Sequence, residues 1–486
     1  MAEILPFRAL HYNPALVARL DQVVTQPYDK ISVEMQARYY GLSPYNLARI
    51  IRGRQSPEDT PQDNVYLRAA RDFRHWIERR VLVSEVEPAL YLYHQDYAVP
   101  GLRAGDGEHE TKKLRRGFIA LCRLEDYSAG VVHRHEETLS GPKADRLELL
   151  KATRAHFGQI FMLYSDPEGD IERTIDQESG NKPWERVEDE YHTTHSVWRV
   201  TDPLTIERAV EGMRQKKLVI ADGHHRYETA LAYRDWRRAQ GDTGHRAEYV
   251  MATFVRMEGD GLTILPTHRV VHGLPGFDWA RFVSEAQTVF EVVGASLGAN
   301  LGDSPALSDA GRGRAGVEVG SGNPGHAPQQ PQSGVFRRQL LRFQEQLARA
   351  GSERPAIGAY GGPGKLVLLR LRRDIDLARL LPDVHPSLAR LDVVILHRII
   401  LERVLGIDPK AVQQETNLRY VRDIGEAIEQ VENGQAQLCL LVNPTPIEAV
   451  RDNAFAGRVL PQKSTDFYPK LLSGLTIYWL DNPAGI

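Results

Sequence analysis

The chain has 486 residues, with 61 Lys+Arg against 64 Asp+Glu and a formal net charge of −3. Hydrophobic residues make 42% and charged residues 26%, the balance of a folded chain of about two or three domains, which excludes a disordered protein. There is no basic excess for coating nucleic acid, and two cysteines, Cys122 and Cys439, are too few for a disulfide framework or a Cys-rich zinc module.

The first residues put Glu3 and Pro6 where a signal peptide needs base and an apolar run. With no stretch of about 20 apolar residues, the expected address is the cytoplasm, with no membrane partner. In chain order, Gln26-Pro27-Tyr28-Asp29-Lys30 comes first; Pro27 makes the approach extended or turn-like. Asp29 reads either as a carboxylate able to take a proton from a hydroxyl or as a turn residue before a helix starting near Ser32. Strands are predicted at Arg115–Leu124, Gly158–Tyr164 and Lys217–Ala221, with a helix over Asp145–Phe157 between the first two. A turn, Asp222-Gly223-His224-His225-Arg226, joins the third strand to an amphipathic helix.

From Ser296 to Gly334 the sequence is dense in Gly, Ser, Pro, Ala and Gln without an apolar period, and it reads as a flexible linker. Beyond it, helices are predicted around 337–349, 392–405 and 423–432, a hairpin at AIGAYGGPGKLVLLRL, and a strand at Gln437–Val442. The loop PQKSTDFYPK and the apolar LSGLTIYWL follow. Strands and helices intermix, so the class is α/β (α+β). The expected divisions are 1–295, the linker 296–334, and 335–486.

Several motifs fail. GAYGGPGKL resembles a phosphate loop, but Gly358 is one position too far from Gly364 and Leu366 stands where Ser or Thr is needed; a hairpin turn explains it better. No GxGxxG opens a helix, and GxSxG and HExxH are absent. The strongest signal is the strand-turn-helix around Asp222. A helix start offers free N–H groups to an anion, Gly223 permits close approach, and His224, His225 and Arg226 add donors and charge. The alternative is a solvated turn whose histidines cap the helix. Three other loops share His, Lys, Arg, Ser and Thr suited to phosphoryl oxygens. They are His135-Glu136-Glu137-Thr138 with Lys143, Asp145 and Arg146; Pro266-Thr267-His268-Arg269; and Gln462-Lys463-Ser464-Thr465 with Tyr468-Pro469-Lys470. Each singly also reads as a surface loop.

Taken together, QPYDKIS, HEETLSGPKADRLELLKAT, IADGHHRYETAL, ILPTHRV and PQKSTDFYPKLLSGL resemble, in order, a family catalogued as a domain of unknown function and labelled ParB/SpoOJ-like. That family is grouped with the ParB/sulfiredoxin superfamily and is similar to the SerK-like free serine kinases. The resemblance implies a ParB/sulfiredoxin-like core with a C-terminal α/β part closing over the site. It implies a free L-serine kinase giving O-phospho-L-serine, with inorganic diphosphate, ADP or ATP as donor and Mg²⁺ bridging donor oxygens. By that resemblance Asp29, with Glu34 in reserve, is the general base, and His225 joins them as catalytic. Donor phosphates fall to Asp222, Gly223, His224, His225, Arg226, Lys143, Arg146, His268, Arg269, Lys463, Ser464, Thr465 and Lys470. Substrate contacts fall to His135, Glu136, Thr138 and Tyr227. No cysteine lies in the DGHHR motif, which argues against sulfinic acid reduction, and no helix-turn-helix or basic surface speaks for DNA. Asp466 departs from the family, which usually carries an aromatic residue there; an acid at that point either disturbs the donor or adds a metal ligand. Two alternatives stay open: a nucleotide-binding regulator without kinase activity, and a kinase of another small hydroxylated metabolite.

Overall fold

The computed structural model describes residues 2–103, 110–137, 143–242, 244–294 and 334–485, with the backbone alone for 101–103, 110, 143 and 334–338. It has the expected α+β class and divides into two compact units, one formed by 1–265 with 444–486 and the other by 266–443. The boundary expected at 295/296 therefore falls inside the second unit, and 444–486 belong with the first. The linker expected at 296–334 lies outside the described residues up to 333; residue 334 already starts a helix.

The first unit is built on nine described strands, namely β1 (Ile4–Leu5), β2 (Leu90–Arg103), β3 (Glu110–Arg123), β4 (Val132–Arg134), β5 (Ile160–Tyr164), β6 (Glu185–Glu188), β7 (Thr194–Val200), β8 (Leu218–Asp222) and β9 (Tyr249–Arg256). Their order is β4-β8-β5-β9-β3-β2-β7-β6, with β1 also on β3. The β8–β4 and β9–β5 pairs are parallel and the rest antiparallel. The strands are apolar on both faces because both faces are covered. Phe161, Leu163, Val219 and Met251 pack on one side with Phe73 and Trp76 of α1 (Val65–Glu78), Leu149 of α2 (Lys143–Thr153) and the C-terminal Leu472, Leu475 and Ile477. The alternate residues Ile160, Met162, Leu218, Ile220 and Ala252 pack on the other. Their partners there are Ala209 and Met213 of α3 (Pro203–Arg214) and Tyr227 and Ala230 of α4 (His224–Ala239). Helix starts are set locally: Asn64 Oδ1 accepts from the N–H groups of Tyr66 and Leu67, and Asp202 accepts from Thr205 ahead of Pro203. A short strand, β10 (Thr263–Leu265), ends the first stretch of this unit.

The second unit is an antiparallel sheet of six described strands, β11 (His268–Val271), β12 (Phe290–Gly294), β13 (Ala356–Tyr360), β14 (Leu366–Leu371), β15 (Leu418–Val421) and β16 (Leu438–Val442). The order is β12-β14-β13-β16-β11-β15. Leu438, Leu440 and Val442 pack on one face with Ile399 and Ile400, and Cys439 and Leu441 on the other with Phe343 and Ile428. The GGPG segment is the β13–β14 hairpin turn, with Gly362 at φ +113° and Gly364 at φ +73°, a left-handed geometry that favours glycine. After Asn443 the chain re-enters the first unit, where β17 (Asp466–Tyr468) pairs antiparallel with β10. No helix among the described residues is long and apolar enough to cross a membrane.

Candidate functional site

The DGHHR motif sits where the sequence puts it, between β8 and α4. Gly223 turns the chain at φ +91°, and a Cβ there would come within 2.9 Å of the Arg226 guanidinium, so the turn needs glycine twice over. No side chain caps the start of α4, which leaves an electropositive helix end with backbone donors. Asp222, the last residue of β8, accepts from Arg226 Nη2 at 2.6 Å through Oδ2 and from Lys470 Nζ at 3.1 Å through Oδ1. Lys470 reaches a second carboxylate, Asp466 Oδ1, at 3.0 Å. Burial works to raise the Asp222 carboxyl, but Lys470, Arg226 and Lys30 outweigh it and hold it well below the usual range. Burial likewise works against the charge on Lys470, and Asp222 and Asp466 hold its pKa above the ordinary lysine value. Lys30 feels the converse: desolvation first, then Lys470, lower its pKa, with Asp29, Asp466 and Asp222 opposing. These charges form one cluster.

Around it the histidines are fixed by backbone. His135, fully buried, donates from Nδ1 to Ile220 O at 2.6 Å, and its Nε2 is hydrogen-bonded with Thr465 Oγ1 at 2.6 Å. That bond ties the PQKST loop to β8. The loop is further held by Thr445 Oγ1 donating to Ser464 O at 2.8 Å and Ser464 Oγ donating to Pro461 O. His224 is 6% exposed, and its ring lies 5.0 Å from that of His135. Its Nε2 has no hydrogen-bond partner among the described residues. Burial, then His135, pushes its pKa well down.

Behind Lys470 lies a set of buried polar groups that the sequence did not announce. Gln95 and Arg115 are direct cross-strand partners on β2 and β3. Arg115 donates Nε to Gln95 Oε1 at 2.9 Å and Nη2 to both Gln95 Oε1 and Pro469 O, the latter at 2.6 Å, with its guanidinium over the Phe161 ring. Gln95 Nε2 donates to Lys470 O at 2.8 Å. Arg115 is 1% exposed, and among the described residues no carboxylate is in ion-pair contact with it. Burial lowers its pKa to about 10, so it keeps its charge at neutral pH. Next to it, His195 Nε2 donates to Asp189 Oδ2 at 3.2 Å, and its Nδ1 accepts from Tyr93 Oη at 2.6 Å. Two strands thus grip the backbone that carries Lys470. Reading the sequence passed over Lys30, Gln95 and Arg115; the signals were a base next to Asp29 and polar residues set in apolar strands.

The structure draws together Asp222, Gly223, His224, Arg226, His135, Thr465 and Lys470, with His225 at the same helix start. Asp29, exposed on the turn Tyr28–Lys30, adjoins Lys30 at the rim of the cluster. Arg146 stacks over Tyr28 at 4.3 Å, donates to Ile51 O and pairs with Asp145; Tyr28 in turn feels Asp222 and Arg226. Glu136 pairs through its backbone with Leu460 and brings Oε2 to 3.9 Å from His135 Nε2. Ser464 is occupied within its own loop, and Lys463 is exposed at φ +56°. Other expected site residues have other contacts. Glu34 is exposed in the first turn of its helix and accepts from Ser32 Oγ at 2.8 Å. Tyr227 is fully buried in the core on the far face of the sheet, its hydroxyl donating to Glu125 O at 2.8 Å, because position 227 lies on the inward side of α4. His268 and Arg269 belong to the second unit: His268 Nδ1 accepts from Val442 N, and Arg269 donates to Thr267 O and faces His397 Nε2 at 3.0 Å. Thr138 and the Lys143 side chain lie outside the described residues.

Mg²⁺ prefers one or two carboxylates together with water and substrate phosphates. Asp222 and Asp466 do not offer such a place, because the Lys470 ammonium already bridges them and Arg226 takes the other Asp222 oxygen. Among the described residues, no group of three or more His, Cys, Asp or Glu is placed to hold a metal. The added acid at 466 is therefore a counter-ion for Lys470.

Comparison with solved structures finds distant similarity. A conserved hypothetical protein from Pyrococcus furiosus is 11% identical, with 75% of this chain and 96% of that one covered at a TM-score of 0.34. A free serine kinase in complex with AMP is 11% identical, with 74% and 92% covered at 0.33. SbnI with a C-terminal truncation, from Staphylococcus aureus, is 8% identical, with 75% and 90% covered at 0.34. No curated protein matches the sequence. Residues 4–394 match the family described as "Protein of unknown function (DUF1015)", and the chain belongs to that family.

Proposed function

We propose that this protein transfers a phosphoryl group to the hydroxyl of L-serine, giving O-phospho-L-serine, with inorganic diphosphate, ADP or ATP as donor. The observation that carries the reading is the charge balance at the start of α4. Lys30, Arg115, Arg226 and Lys470 face Asp222, Asp466 and Asp29, so cations outnumber carboxylates at an uncapped helix end. A partly buried positive excess of this kind is matched by an anion, and phosphate fits the donors present. The unpartnered His224 Nε2 adds a further group for such a ligand. The DGHHRYETAL and PQKST motifs, with their likeness to the ParB/sulfiredoxin superfamily and its free serine kinases, lean the same way.

In this reading the serine oxygen attacks the terminal phosphorus in line as its bond to the leaving group breaks, releasing phosphate from diphosphate, AMP from ADP or ADP from ATP. Asp29 takes the hydroxyl proton, and Lys470 and Arg226 balance the charge that develops on the leaving oxygen. The test is ³¹P NMR of the protein with L-serine and Mg²⁺, offering diphosphate, ADP and ATP in separate tubes. An O-phosphoserine resonance in one tube is the expected result and identifies the donor. Nucleotide binding with no O-phosphoserine in any tube would favour the regulatory alternative. Asp29→Asn is expected to lower turnover by about 10²–10⁴; unchanged turnover in both Asp29→Asn and His225→Ala would remove the site assignment.

A further inference from the structure

A cavity of about 80 Å³ opens in the first unit beside the Asp222 cluster, with Tyr28, Arg146, Leu150, Phe157, Arg226 and Thr229 among its lining residues. One wall is apolar, from Leu149, Leu150 and Phe157, and two guanidiniums, Arg146 and Arg226, stand against it. Arg226 spends one Nη2 bond on Asp222 and one Nη1 bond on Gln159 O, which leaves other N–H groups for a ligand. Thr229 is 4% exposed, and its Oγ1 has no hydrogen-bond partner among the described residues, so a buried hydroxyl lines the cavity unsatisfied. Buried hydroxyls in folded proteins are nearly always paired, and one left open beside two cations points to a missing ligand. None of the lining residues is a carboxylate.

Resting on the kinase reading, we infer that this cavity holds the acceptor, with its carboxylate on Arg146 and Arg226 and a polar group on Thr229 Oγ1. One water needs about 10–15 Å³ of such space, so 80 Å³ has room for a skeleton of a few heavy atoms. Both guanidiniums are paired outside the cavity, Arg146 with Asp145 and Arg226 with Asp222, and their remaining N–H groups take the acid end of the acceptor, while no lining carboxylate meets its amino group. The substrate class is therefore a short 3-hydroxy carboxylate, of which L-serine is one member. Arg226 contacts both the cavity and Asp222, and so links the acceptor pocket to the phosphate cluster.

Two variants test this. Thr229→Val removes the hydroxyl at constant shape. Gly158→Ala adds a methyl that meets Ser473 Oγ at 3.1 Å and Arg226 Nη1 at 3.3 Å, both on lining residues. Each is expected to raise the KM for L-serine roughly 5- to 20-fold and to leave the donor KM within twofold. 3-Hydroxypropionate, which lacks the amino group, is expected to compete with L-serine in the unaltered protein. Phosphoserine formation with unchanged serine KM in both folded variants, or no competition by 3-hydroxypropionate, overturns the pocket. Failure of the unaltered protein to phosphorylate any acceptor overturns the kinase reading instead. Calorimetric titration of L-serine and 3-hydroxypropionate then decides the pocket separately: binding weakened by Thr229→Val supports it, and absence of binding removes it. Melting curves confirm folding, and if Gly158→Ala fails to fold, Thr229→Val carries the test.

Discussion

Lys470 lies between two carboxylates, 3.1 Å from Asp222 and 3.0 Å from Asp466, with only a tenth of its side chain exposed. Removing one partner of a buried ion group costs more than the group itself contributes, because the remaining charges stay buried and unpaired. Lys470→Met is therefore expected to lower unfolding free energy by about 3–5 kcal/mol, read from urea titrations. It is also expected to cut phosphoryl transfer by about 10²–10³. A second residue sets a pH response. His11 lies 3.2 Å from Glu85 and 3.5 Å from Glu185, and although burial works against its charge, those two acids raise its pKa to about 9. A folded pKa above the unfolded value means that the contribution is complete below about pH 6.5 and is lost as pH rises through about 9. Urea midpoints are expected to fall between pH 6.5 and 9.5 by an amount worth about 2–3 kcal/mol, with a flatter profile in His11→Gln.

At the scale of elements, α4 serves two environments along its length. Its first turn faces the charge cluster, while Tyr227, three residues on from His224, anchors the opposite core through Glu125. Tyr227→Phe is expected to cost about 1–3 kcal/mol of stability by leaving buried groups unpaired, with serine and donor KM unchanged; a raised KM would return Tyr227 to the site. The strand, turn and helix of LVIAD-G-HHRYETAL were legible in sequence because a buried run, a glycine and an amphipathic helix follow one another within 22 residues. The hairpin at 356–371 was legible for the same local reason. Arg115 was not, since its role depends on a cross-strand register with Gln95 and a contact with Pro469, 354 positions away. His268 and Arg269 misled in the other direction. They read as a loop rich in phosphate ligands, yet they lie in a wholly buried strand where Tyr420 and His397 cover the guanidinium. Pattern alone does not distinguish an arginine packed into a buried strand from one that waits for a ligand.

At the scale of the molecule, the second unit is a contiguous insertion, 266–443, with its own sheet and cores on both faces. The points where it leaves the first unit lie close together: Leu265 pairs with Asp466, and Thr445 bonds Ser464, two positions away. Replacing 266–443 by a short Gly/Ser linker is therefore expected to yield a folded first unit with one cooperative urea transition. A truncation to 1–265 alone, which lacks β17, Lys470 and the packing of Leu472, Leu475 and Ile477, is expected to lose that transition. Circular dichroism and urea titration of the two proteins decide the point.

The same arrangement orders events during synthesis. The insertion leaves the ribosome complete while the first unit still lacks Thr465, Asp466 and Lys470, so a nascent chain carries the Asp222–Arg226 pair without Lys470. On the proposed function, phosphate affinity at this cluster is expected only late in translation, after the inserted unit has had time to fold. A chain stalled anywhere inside 266–443 is expected to be unable to sequester the donor.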